Sequence, residues 1–61
     1  MDLKTWMKKN RWSAHKMGQE IHMNGSVISD IANKYRRPGV QSINKIVEFT
    51  AGEVSYDELY N

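Results

Sequence analysis

Cysteine is absent from these 61 residues, so neither a disulfide framework nor a thiolate zinc site can supplement the core. No apolar run approaches the ~18 residues that a membrane span requires. The opening Met1-Asp2-Leu3-Lys4 lacks the apolar centre of a signal peptide. The length holds one small domain, 1–61, and no linker-joined second one. A domain this short buries only about 60% of the surface its unfolded chain exposes, so its stability is expected to be marginal without a partner. The size argues against a deep enzymatic pocket, and no glycine-rich phosphate loop or nucleophile motif is present. The expectation is a cytoplasmic, non-enzymatic, single-domain protein with no cofactor, no membrane association and no small-molecule ligand.

Basic residues are missing from residues 46–61, which carry Glu48, Glu53, Asp57 and Glu58. All nine Lys and Arg lie in residues 1–45 beside only Asp2, Glu20 and Asp30, so a net charge of +6 is followed by one of −4. Such segregation lets one face meet a polyanion while the acidic end points away; a merely solvated surface is the plainer alternative.

Alternating strand patterns are also lacking, and apolar residues recur at a helical period throughout. Leu3, Trp6 and Met7 mark a first helix over 2–10 with Asp2 as its N-cap. Ser13 caps a second helix carrying Ala14, Met17, Gly18 and Ile21 inward, with Trp12 and Met17 as a hydrophobic staple. Asn24 caps a third, with Met23 and Ile28 as its staple and Ile28, Ile31, Ala32 and Tyr35 inward. Pro38-Gly39 breaks the chain. A fourth helix over about 40–50 turns Ile43, Ile46, Val47 and Thr50 inward, with Gly52 at C′. Ser55-Tyr56-Asp57-Glu58 has the form of a capping box and predicts a short fifth helix.

The stretch Ala14 to Asn33 holds two helices of about eight residues separated by a three- or four-residue turn. So short a connection holds them at roughly 90–120°, as in a helix-turn-helix. Gly18 sits where such packing needs a small residue. His22 stands where the turn needs a residue that tolerates positive φ. The pattern Gly18-x-x-Ile21-His22-Met23-Asn24-x-x-x-Ile28-Ser29-x-Ile31 resembles the helix-turn-helix of lambda-repressor-like, Cro-type phage regulators, which read Ala-x-x-Leu-Gly-Val-Ser-x-x-x-Ile-Ser-x-Ile. Tyr35-Arg36-Arg37-Pro38 is similar to the basic turn after their recognition helix. Thr50-Ala51-Gly52-Glu53-Val54-Ser55 is similar to their Thr-Gly-Gly-x-Val-Thr ending. The resemblance implies an all-α, compact five-helix DNA-binding domain whose helix-turn-helix spans about 14–33.

It also implies roles for particular residues. The third helix would lie in the DNA major groove with its N-terminal residues near base edges. Gly25 and Ser26 hold the first exposed positions, where relatives often carry Gln. Ser26 and Ser29 can donate to or accept from several bases, Asp30 can accept from a cytosine amino group, and Val27 either touches a thymine methyl or is half-buried. Asn24 and Asn33 flank the helix and can reach base or backbone. Ser13, Lys16, Lys34, Arg36 and Arg37 would hold phosphates, together with the free N–H groups of the second helix. Neutralising about 4–6 phosphates per subunit makes affinity fall steeply with salt.

Other residues point elsewhere less well. His15 and His22 lack a third ligand for a metal site. Asp57 and Glu58 are adjacent, whereas paired acid–base catalysis needs carboxylates held apart across a cleft. The methionines are spaced as core fillers, and Trp6 and Trp12 close the core rather than stack on bases. Val54, Tyr56, Leu59 and Tyr60 either form a homodimer interface or cover the core of their own chain. The expected function is a sequence-specific double-stranded DNA-binding regulator, a Cro-like phage repressor that acts as a homodimer by occluding a promoter. A helix-turn-helix protein-interaction module, an antirepressor or inhibitor, is the competing reading; the weak readers Gly25 and Ser26 and the acidic Asp30 motivate it.

Overall fold

Side-chain acceptors stand where the first three helices begin. In the computed structural model, which describes residues 1–60, α1 spans Leu3–Asn10, α2 Ala14–Ile21, α3 Gly25–Ala32, α4 Val40–Phe49 and α5 Tyr56–Tyr60. Asp2 Oδ1 accepts from the Thr5 N–H at 2.8 Å, Ser13 Oγ from the Lys16 N–H at 3.1 Å and Asn24 Oδ1 from the Ser26 N–H at 2.8 Å. Each bond satisfies a donor that the first helical turn leaves without an intrahelical partner. Helix α4 starts behind Gly39 with no side-chain cap. Before α5, Ser55 and Glu58 form the reciprocal capping box: the Ser55 N–H donates to Glu58 Oε2 and the Glu58 N–H to Ser55 Oγ, both at 3.3 Å.

The chain leaves α1 to α4 by the same device. Arg11, His22, Lys34 and Ala51 adopt left-handed φ of 58°, 58°, 64° and 55°. The residue after each turns its N–H back to a carbonyl five positions earlier: Trp12 to Met7 (2.9 Å), Met23 to Gly18 (2.8 Å), Tyr35 to Asp30 (2.8 Å) and Gly52 to Val47 (2.9 Å). Gly52 therefore stands one place beyond the C′ position expected of it, and Ala51 takes the left-handed site.

The core is one cluster of Leu3, Trp6, Met7, Met17, Ile21, Ile28, Ile31, Ile43, Ile46, Val54 and Leu59. Phe49 packs against it and takes edge contacts from Trp6 and Trp12, with ring centroids 5.8 and 5.0 Å away. Trp6 Nε1–H reaches Glu53 Oε2 at 3.1 Å. Buried Thr50 donates from Oγ1 to the Val47 carbonyl at 3.2 Å and accepts the Val54 N–H at 3.3 Å, which turns the chain from α4 toward α5. The Met1 ammonium donates to Glu58 Oε2 at 2.8 Å and to the Glu53 carbonyl at 3.1 Å.

Two expectations change here. Tyr35 is not inward: α3 ends at Ala32, the left-handed turn at Lys34 reverses the chain, and the Tyr35 side chain is 82% exposed. Of the four candidate interface residues, Val54 and Leu59 are buried in the core of their own chain; Tyr56 and Tyr60 remain exposed. No helix among the described residues is long and apolar enough to cross a membrane.

Candidate nucleic-acid interface

Two glycines set how α2 and α3 sit together, and these two helices make the most extensive pairing in the molecule. A Cβ on Gly18 would overlap the Met23 carbonyl oxygen and come within 3.1 Å of the Gly25 nitrogen. A Cβ on Gly25 would stand 3.0 Å from the His15 Cα and 3.2 Å from its nitrogen. The C-terminal half of α2 thus meets the turn backbone to backbone, and the first residue of α3 lies against the first turn of α2. Gly18 fulfils the role its position implied. Gly25 was expected as an exposed reading position; it is half-buried and serves close packing.

That packing leaves a polar row along the outside of α3: exposed Ser26, partly exposed Ser29 and Asp30, and exposed Asn33. Asn24 spends its Oδ1 on the cap, leaving its amide NH₂ for an outside acceptor. Asn33 folds back, its Nδ2 donating to the Ser29 carbonyl at 2.9 Å. Val27 is half-buried and packs against the core, the second of the two alternatives open to it. Since Gly25 packs against Ala14 and His15, the N-termini of α2 and α3 adjoin. Ser13 and Lys16 belong to that corner, where unpaired N–H groups and aligned peptide dipoles favour an anion. Lys16 Nζ lies 5.6 Å from the Trp12 ring centroid.

The basic turn occupies the other end of α3, and its residues are held by different neighbours. Arg36 Nε approaches Asp30 Oδ2 at 3.7 Å, a loose exposed pair that contributes little to stability but offsets the one carboxylate on the outer row. The Arg37 guanidinium lies over the Tyr60 ring, 5.4 Å from its centroid. Lys34 is exposed and sits where its charge acts on Asp2. The Asp2 carboxyl is held below its usual range first by hydrogen bonds from Thr5, with Lys34 adding to them. A cleft of about 230 Å³ opens between the start of α1, this turn and α5, lined among others by Asp2, Leu3, Lys34, Arg37, Leu59 and Tyr60.

Periodicity missed Tyr35 as a surface residue. With Val40, 60% exposed, it brackets Arg36 and Arg37 with two uncovered apolar side chains. The available signal was Asn33, a poor helix former placed after two full turns. Comparison with family models, curated proteins and solved structures finds no match to this chain.

Proposed function

We propose that the chain is a sequence-specific double-stranded DNA-binding regulator of the lambda-repressor-like, Cro-type kind. In this reading α2 and α3 form a helix-turn-helix, α3 enters the major groove, and the protein represses by occupying a promoter as a homodimer. One observation carries it: α2 and α3 are locked by backbone contacts at Gly18 and Gly25, while the outer row of α3 stays polar and open. A rod so held can present side chains to base edges with little entropy lost on binding. Ser26, Ser29, Asp30 and Asn33 then face the bases, with Asn24 at the groove edge. Ser13, Lys16, Lys34, Arg36 and Arg37 take phosphates at the two ends of the rod.

The test is a gel shift with fragments of the encoding genome, titrated with salt. One fragment is expected to hold the protein at a salt concentration that releases the others; equal affinity for every duplex removes the specific reading, and no binding at low salt removes DNA altogether.

A second reading has its own observation. Asp30 already engages Arg36, Gly25 is used in packing and the readers between Asn24 and Asn33 that stay on the outer row are the serines Ser26 and Ser29, so the row suits a protein partner as well. Reversing the charges of Arg36 and Arg37 separates the two: a lost regulatory phenotype supports DNA, an unchanged phenotype supports the protein partner.

A further inference from the structure

We infer that Tyr60, on the acidic helix α5, positions Arg37 for phosphate contact, so that α5 takes part in nucleic-acid binding without touching the duplex. The inference rests on the DNA-binding reading above. Residues 36 and 37 are adjacent arginines in an exposed turn, yet their guanidiniums are drawn to different elements. Arg36 is drawn back to Asp30 on α3. Arg37 reaches α5, its guanidinium carbon over the Tyr60 ring at 5.4 Å from the centroid. Tyr60 is in turn backed by Tyr56 one helical turn earlier, ring centroids 5.7 Å apart and planes inclined by 17°. Arg37 and Tyr56 thus both engage the Tyr60 ring.

Such an arrangement suits a guanidinium that must also bind phosphate. A ring holds the cation without a carboxylate, so its N–H donors stay available to phosphate, whereas a carboxylate partner would consume them. The ring also cuts the rotamer freedom that a long exposed side chain loses on binding. Both tyrosines are about half exposed, at 42% and 48%, so core packing alone does not account for their alignment.

The test is a double-mutant cycle read on a short mixed-sequence DNA duplex across a salt series. Arg37→Ala is expected to weaken binding and to lower the slope of log affinity against log salt by about 1. Tyr60→Leu, which keeps an apolar side chain but removes the ring face, is expected to weaken binding about 2- to 5-fold and to reduce the slope part-way. Tyr60→Phe restores wild-type behaviour, and Tyr60→Leu has no further effect once Arg37 is Ala. In the free protein the Arg37 δ protons show an upfield ring-current shift that Tyr60→Leu abolishes. Wild type that binds the duplex while the two substitutions act additively, or while Phe fails as badly as Leu, overturns this inference alone, as does an absent ring-current shift. Wild type that ignores the duplex at low salt overturns the DNA reading and takes the inference with it.

Discussion

Ala51 follows α4 with a left-handed φ of 55° and no glycine to relieve it, as do Arg11, His22 and Lys34 after the helices before them. An L-residue there crowds its Cβ against the following carbonyl at roughly 1–2 kcal/mol, though part of the gain from glycine is lost to its freer unfolded state. Ala51 is exposed, so nothing else is lost with its methyl group. Ala51→Gly is therefore expected to stabilise the fold by about 0.5–1 kcal/mol, read as a raised urea midpoint with an unchanged slope. Gly18→Ala runs the other way. The added methyl meets the backbone carbonyl of Met23, which cannot swing aside like a side chain, and the loss is expected to be ~1–3 kcal/mol. A Gly18→Ala chain as stable as wild type would show that α2 and the turn can separate at no cost, and the rigid-rod argument would go with it.

For whole helices, the caps were the most legible feature of the sequence because each depends on one short polar side chain and its neighbours. Asp2, Ser13, Asn24 and the Ser55–Glu58 box all hold the bonds expected of them. Where the helices stop was read to within a residue for α1, α3 and α4, but what lies beyond a stop was less legible. The inward period continues past Ala32 to Tyr35, but periodicity records which face is apolar and not when the backbone turns; a left-handed Lys34 leaves no glycine to mark the stop. Phe49 fell outside the stripe of Ile43, Ile46, Val47 and Thr50, since it is the two tryptophans that give it neighbours on that flank. The outer row of α3 was legible as a face, while the role of Gly25 was not, because close approach to Ala14 and His15 is a tertiary fact. The cap on α1 carries a pH signature. Asp2 titrates below its ordinary value of 3.8 in the folded chain, so its stabilisation is complete above that value and is lost as pH falls through the lower folded pKa. Asp2→Ala is expected to cost about 1 kcal/mol at neutral pH and less in strong acid, where the protonated carboxyl is only a neutral acceptor, whereas Asp2→Asn keeps such an acceptor at every pH and flattens this part of the acid limb. Parallel pH–stability curves for wild type and Asp2→Asn would assign the acid loss elsewhere.

The whole molecule, about 23 × 20 × 19 Å, is small against the DNA site it is proposed to cover. A single module of this class buries only about 600–1,000 Å² on DNA, which is thin for tight specific binding, so two copies on a two-fold axis are expected. With Val54 and Leu59 committed to the core, the exposed Tyr56 and Tyr60 are what α5 retains for a partner copy. They sit among Glu53, Asp57 and Glu58. A two-fold contact through α5 brings these carboxylates toward those of the partner copy, because an isologous interface pairs an acidic surface with itself. Repulsion of that kind is long-ranged in dilute buffer and screened within about 10 Å at 0.1 M salt. Self-association and DNA binding are therefore expected to respond to salt in opposite directions: sedimentation shows more dimer as salt rises, while affinity for duplex falls. In the proposed complex the phosphates would hold two copies side by side and supply what α5 alone does not, so the dimer is expected to be weak in free solution and firm at its site. Tyr56→Glu adds another like charge at the contact and removes an aromatic anchor; it is expected to abolish cooperative binding while leaving α3 intact, with a smaller loss through Tyr60 and Arg37. The measurement is stoichiometry by sedimentation of the protein on a footprinted fragment. One subunit per site, or dimerisation that weakens with salt, would rule out α5 as the contact between copies.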